Sequence, residues 1–529
     1  MKLLMKNIGM ACVLGALMTG CTDNFDSMNQ DPMGINDSDP SYVMPYILEQ
    51  GSHVQSWEYQ VGDNLNTNLY AQYFANGATY FNSDSYNYNS AWVTDGFWNN
   101  YYSGVLKQVK AVGETVKEQP AYSNIYQTMR IFAAQCTALT TDVFGDIPYT
   151  EAAAGKSNAK YDSQKSIYQA IFRELTEAVN ELSQNKPNQA AYRDQQDLIY
   201  NGDMSKWIKL ANSLRLRYAL RVVYVDPEMA KREGEAALAA PGGLLSSNDD
   251  NAGVYISGTG ANGWPLFQIS GWGEFCMSKT MENILKTTST VADPRMPLWF
   301  GHTQASTADN PVFAGIPNGL SVEKLGQYPG DERSFVWGLQ AMPNWNTKDN
   351  SESSFCVNIR QKVMNYAEVC LLKAEAALRG WAGAGDAKTN YLAGIRASFE
   401  GERAIVGDES LYDTSNDNTY MTTGKVEWQE GATFETHLEQ IITQKWLALY
   451  PNGSEAWSEF RRTGYPKLMP VGQSMEPTIN PANGEFIKKL RYVDDERREN
   501  PNATDPSLNG GKGDGLNVRV WWDAGNRYK

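Results

Sequence analysis

The chain of 529 residues is short of the groups from which active sites are usually built. It has three histidines, His53, His302 and His437, far apart in sequence. No HExxH, G-x-S-x-G or closely spaced His/Cys cluster occurs, so no familiar hydrolase or zinc signature is present. Of six cysteines, Cys136, Cys276, Cys356 and Cys370 lie beyond residue 21 and lack CxxC spacing. Cys136 and Cys370 occupy apolar positions of helical stretches, where a thiol acts as a small hydrophobe; spacing alone does not tell whether any of the four is in a disulfide. No stretch past residue 21 approaches the ~18 apolar residues of a membrane-spanning helix. Positive charge is scarce as well. Lys and Arg number 46 against 61 acidic residues, a net charge of −15. Nucleic acid and anionic membrane surfaces are therefore poor partners, while neutral ligands stay open.

The N-terminus reads as an export signal. Lys2 and Lys6 precede an apolar stretch, Ile8 to Met18, too short to span a bilayer, and Thr19-Gly20 supplies small residues for cleavage. Leu17-Met18-Thr19-Gly20-Cys21 resembles a lipobox, which makes 1–20 a lipoprotein signal peptide and Cys21 the lipidated residue. Removing the two lysines of 1–20 takes the charge from −15 to −17. Residues 21–44, rich in Asn, Asp, Ser and Pro, read as a flexible tether. Lipid alone would then hold the protein to a membrane.

From residue 45 to 529 the pattern predicts one mostly α-helical domain. Ile167, Ala170, Ile171, Leu175, Ala178, Val179 and Leu182 make one apolar stripe; Val363, Tyr366, Ala367, Cys370, Leu371, Ala374 and Leu378 make another. Amphipathic stretches run near 45–75, 96–118, 122–143, 204–224, 226–239, 386–401 and 434–450. Gly145, Pro148 and Gly380 punctuate them. Helix, short turn, helix is the grammar of a helical array. The region 241–360 differs, with Gly, Pro, Asn, Ser and five tryptophans, and predicts long loops with a few short strands. Within it, Gly258-Thr-Gly-Ala-Asn-Gly263 matches G-x-G-x-x-G, but Trp264-Pro265 disfavours the helix a dinucleotide site needs there. Asp494, Asp495 and Glu496 could hold a hard cation such as calcium, although a solvated acidic loop explains them as well. No other cofactor is indicated.

Two stretches carry the composition of a sugar-binding surface. A pyranose has weakly apolar faces and a hydroxyl rim, so its site wants flat aromatics beside amides and carboxylates. Ala75 to Trp92 interleaves Tyr80, Phe81, Tyr86, Tyr88 and Trp92 with Asn76, Asn82, Asn87 and Asn89. Residues 262–275 place Trp264, Phe267, Trp272 and Phe275 beside Asn262 and Gln268. The plain alternative is that some of these rings pin loops to the scaffold. Trp98, Tyr101, Tyr102, Trp446 and Trp457 lie at helical spacing and read as core. Asp142 and Asp146 read as helix-end residues, and Arg461 and Arg462 as cations at a helix C-terminus.

Several stretches together resemble one family. They are Asp142-Val-Phe-Gly-Asp-Ile-Pro-Tyr149, Lys206 to Arg217, Tyr366 to Arg379, Gln444 to Gly453, Glu455 to Pro466, Arg491-Tyr492 and Glu499-Asn500. In this order, after a lipobox, they resemble the SusD/RagB family, in its SusD-like branch of outer-membrane nutrient-binding lipoproteins. The resemblance implies tetratricopeptide-like helix pairs with a large irregular ligand-binding face. It implies a non-catalytic subunit, lipid-anchored in the outer membrane and facing the cell exterior. It further implies capture of an oligosaccharide or other nutrient for a SusC-like, TonB-dependent β-barrel transporter. Two other functions fit the composition: a lipid-anchored glycan-degrading enzyme, and a surface adhesin without a small ligand.

Overall fold

A computed structural model describes residues 39–153, 158–256, 264–307, 310–336, 359–406 and 413–528. The signal, Cys21, Cys356, Asn262 and the G-x-G-x-x-G run lie outside them. Residues Val43–Lys529 form one compact unit.

Its long helices are α1 (Lys107–Glu118), α2 (Ser123–Phe144), α3 (Gln164–Leu182), α4 (Met204–Arg221), α5 (Pro227–Leu238), α6 (Tyr366–Leu378), α7 (Ala387–Val406), α8 (Phe434–Leu449) and α9 (Gly453–Thr463). Their starts are written locally. Ser163, Asp203, Asp226, Asn365, Thr433 and Asn452 each accept a hydrogen bond from an orphan N–H of the first turn. Gly464, at φ +74°, closes α9 in the left-handed conformation. Neighbours pack as pairs, α2 on α3, α4 on α5 and α6 on α7, with α8 lying across the last pair. This is the expected mostly helical, tetratricopeptide-like array. The stripe from Ile167 to Leu182 is buried throughout α3. The second stripe needs correcting at its start: Val363 belongs to a strand, and α6 begins only after the Asn365 cap.

Polar residues of the array are not all on its surface. Arg217 of α4 makes two bonds to Glu368 of α6, at 2.8 and 2.5 Å. Arg221 reaches Glu455 at 2.5 Å. Arg462 grips Glu375 (2.7 and 2.6 Å) and Glu459 (3.1 and 2.6 Å). Lys445 of α8 stands 3.3 to 3.6 Å from Glu459, Glu368 and Glu455. All of these side chains are buried. Buried charge persists only when paired, so the network fixes how α4, α6, α8 and α9 meet. Burial alone would raise the Glu459 carboxyl, but Arg462, Lys445 and Arg221 outweigh it and hold it well below the usual range. Arg462 is thus an internal ion-pair residue. Arg461 donates to the Asp142 and Lys488 carbonyls (2.7 and 2.9 Å) and lies 3.6 Å from the centre of the Trp457 ring. Neither arginine is a solvated helix-end cation.

Among the described residues three two-stranded ribbons form: β1 (Phe74–Asn76) with β5 (Phe275–Met277) and β4 (Ala252–Tyr255) with β6 (Arg360–Met364) join distant segments, and β2 (Ile147–Pro148) with β3 (Tyr161–Asp162) a nearer pair. A short helix, Pro265–Ser270, starts where Trp264-Pro265 argued against one; proline is tolerated at a first helical position because its missing N–H has no partner to lose there. Asp494–Glu499 is likewise a short helix rather than a loop. Its Glu496 accepts from Tyr161 (3.0 Å) and Asn500 (2.7 Å), and Asp495 pairs with Arg498. Among the described residues no group of three or more His, Cys, Asp or Glu is placed to hold a metal ion. No described helix is long and apolar enough to cross a membrane. Cys136, Cys276 and Cys370 are free, buried thiols.

Candidate ligand-binding face

The ribbon of β1 and β5 brings the two aromatic stretches together. Asn76 pairs with Phe275 and Phe74 with Met277. Gly77 N–H extends the ladder to the Glu274 carbonyl at 2.8 Å. The Tyr80–Phe81 turn therefore sits over the segment that follows Trp272. Phe81 stacks on Phe275 (6.1 Å, 16°), meets Trp92 edge-on (5.9 Å, 75°) and tilts against Tyr80 (4.9 Å).

A third segment completes the face. Ser56–Tyr59 packs on the helix Pro265–Ser270, and Ser56 Oγ donates to Gln268. Trp57 Nε1 donates to Asp95 at 3.2 Å. Gln60 Nε2 and Tyr80 Oη donate to the two oxygens of Glu274, at 3.2 and 2.6 Å. The bond to Glu274 raises the Tyr80 hydroxyl above its ordinary value and keeps it protonated. Trp57 and Trp272 are each 52 % exposed and Tyr80 is 67 % exposed. Among the described tryptophans only these two are so open, which is costly unless something covers them. The result is a surface of open rings with carboxylates and amides between them.

Other predicted residues go elsewhere. Trp264 is buried at 2 % exposure and donates to Gln361 (3.2 Å), so no face of its ring is open. Tyr86 is buried at φ +60°, edge-on to Tyr70. Tyr88 is half-buried, donates to the Arg491 carbonyl (3.0 Å) and stacks under the Arg491 guanidinium. Trp92 is half-buried. The asparagines shape turns: Asn82 accepts from Asn87 (2.6 Å), Asn89 caps the Trp92 N–H (3.3 Å), and buried Asn76 bonds the Phe81 carbonyl. Asn262 and the Phe267 side chain lie outside the described residues. What remains open is Trp272 and Tyr80, the latter tilted against Phe81, which meets Trp92.

Trp57, Gln60 and Glu274 escaped the sequence reading. A signal existed for Trp57: it precedes buried Tyr59, Gln60 and Val61 and falls beside Glu58, off the inward stripe. A tryptophan on the polar side of a helix is an exposed tryptophan.

Among the described residues, neither His53 nor His437 stands in a nucleophile–base–acid arrangement. His53 Nδ1 and Ser454 Oγ both bond the carboxylate of Asp63, at 2.8 and 3.3 Å. The carboxylate lies between them, so the order nucleophile–base–acid is not met. His437 stacks on Trp428 (4.1 Å, 5°) and bonds the Gln429 carbonyl.

A family model described as SusD-like, Susd and RagB outer membrane lipoprotein, matches residues 28–523. No curated protein matches. Among solved structures, a chitin-binding SusD homolog from Flavobacterium johnsoniae is similar at 28 % identity and TM-score 0.75, over 92 % of this chain and 98 % of its own. SusD homologs from Bacteroides uniformis (28 %, TM-score 0.75, 92 % and 99 %) and Bacteroides vulgatus (28 %, TM-score 0.73, 89 % and 94 %) are similar too.

Proposed function

Because this chain belongs to the SusD-like family of outer-membrane lipoproteins, we propose that it is a non-catalytic capture subunit for an oligosaccharide, bound on the face of Trp57, Tyr80 and Trp272. The observation that carries the reading is the pair of open tryptophans beside Glu274 and Asp95, whose oxygens already accept from Gln60, Tyr80 and Trp57. Rings cover the faces of a sugar; carboxylate lone pairs left over accept from its hydroxyls. The helical array holds these groups on ribbons and short helices, so little ordering is left for the moment of binding. The similar protein from Flavobacterium johnsoniae is a chitin-binding SusD homolog, which supports a glycan over a peptide.

The lipid on Cys21 anchors the protein in the outer membrane, and the face looks to the cell exterior. The bound glycan passes to a SusC-like, TonB-dependent β-barrel, with its glycosidic bonds uncut. Purification of the native lipoprotein from its own membrane tests the delivery step: a TonB-dependent barrel should come with it. A preparation free of any barrel, or one releasing reducing ends from a glycan panel, contradicts the proposal.

A further inference from the structure

A cavity of about 650 Å³ opens between the β4–β6 ribbon, the start of α4 and the end of α7. It shares no lining residue with the aromatic face. It exists because its floor is made of small residues: Ala252, Gly253, Ala397, Gly401 and Ala448 leave the space between ribbon and helices unfilled. At Gly253 even a Cβ would stand 2.8 Å from the Arg360 Cβ, so the ribbon closes tightly there while the space beside it stays empty.

The cavity is lined by one exposed ring among charged and amide side chains. Tyr255 is 44 % exposed, and the Arg360 guanidinium lies 5.5 Å from its ring centre. Among the described residues Arg360 donates to two backbone carbonyls, Leu198 at 3.3 Å and Gly253 at 3.5 Å. Lys206 donates to the Asp249 carbonyl at 2.7 Å. Two lining carboxylates are spent internally. Asp197 accepts from three backbone N–H groups and Trp207 Nε1, and Glu402 holds Lys362 and Trp299. That leaves Lys206 and Arg360 against Asp194 and Asp249, all four without an ion pair among the described residues. With Asp197, whose donors are all neutral, three carboxylates stand against two cations, a mixed lining that gives an anion no advantage. They offer donors and acceptors to an uncharged polyol, and the volume falls in the range of small-ligand sites.

We propose that this cavity is a second carbohydrate subsite, taking one or two uncharged sugar residues with Tyr255 as the stacking platform. The proposal rests on the glycan reading of the aromatic face, and the two are separable by titration. The test uses the full mature chain and a panel of neutral oligosaccharides, glucans, mannans and N-acetylglucosamine oligomers. In Trp57→Ala/Trp272→Ala a weaker saturable binding phase should remain. Adding Tyr255→Ala should weaken that phase by roughly fivefold to tenfold, the loss of one ring contact, while Tyr255→Phe retains it. Hydrogen exchange at 248–256 and 359–365 should slow on saturation of the double variant. No residual phase in the double variant, or a phase indifferent to Tyr255→Ala, overturns the subsite while leaving the face intact. Wild-type affinity unchanged in the double variant but abolished by Tyr255→Ala refutes the face and leaves the cavity as the site. A wild type that binds nothing in the panel refutes both.

Discussion

Replacing Arg217 by Met should damage this protein more than any surface change of equal size. The side chain is 2 % exposed and its partner Glu368 is fully buried. Two charge-assisted bonds join them, and a third runs from Arg217 Nη2 to the Val363 carbonyl at 3.1 Å. Methionine fills much of the space but leaves the Glu368 carboxylate without its closest cation. Stranding one member of a buried pair costs about 3–5 kcal/mol, and the orphaned carbonyl adds about 1 kcal/mol. Lys445, 3.5 Å from Glu368, offsets part of this. A net loss of about 3 kcal/mol is expected, a large fraction of the ~5–15 kcal/mol typical of a folded protein. Urea denaturation followed by tryptophan fluorescence gives the number, as a fall in midpoint at constant slope. Arg217→Met/Glu368→Leu should recover most of it, because both charges are then gone. A single variant within ~0.5 kcal/mol of wild type, or a double variant no better than the single, would refute the view that this network fixes the packing of α4 on α6.

Further predictions concern the binding stretches. Burial raises the Asp84 carboxyl to about 6, with the Gly319 and Asn76 N–H groups opposing it only in part. The folded protein therefore holds a proton that the unfolded chain releases near 3.8; stability from this group is full below that pH and lost as pH rises through 6. Asp84→Asn should stabilise the protein at pH 8 by at most about 3 kcal/mol, seen as a higher denaturation midpoint, and leave it unchanged near pH 3.5; equal destabilisation at both would contradict the assignment. Trp264→Ala should cost about 3–5 kcal/mol, since its ring is enclosed. Trp272→Ala should stay within ~0.5 kcal/mol, since its ring is open; a thermal melt of the two variants side by side distinguishes them.

The helical frame was readable where a helix buries one stripe and announces its start with a capping side chain, as α3 does with Ser163 and Ile167 to Leu182; α1 and α2 start without such a cap. Where two faces are buried the pattern misleads. Glu368 and Glu375 look like the solvent side of α6, yet both are interior, paired with arginines that arrive from α4 and α9. Pairing across more than 80 residues leaves no local mark. The aromatic stretches were legible by composition, but composition does not say which way a ring turns. Tyr80 and Tyr86 stand six residues apart in one loop; one is open, and the other faces Tyr70 in the core. The exposure of Trp57 had a local signal, but it joins the face from a third segment, and only the fold places it beside Asp95.

In the proposed function, open rings on a rigid frame hold a sugar chain without cutting it. Titration calorimetry of a neutral oligosaccharide against wild type, Trp57→Ala and Trp272→Ala addresses it directly, with the glycan recovered and sized afterwards. Each substitution should weaken binding by about 1–2 kcal/mol, roughly fivefold to thirtyfold, and the glycan should return at full length. Equal affinity in all three proteins, or a shortened glycan, would contradict the account.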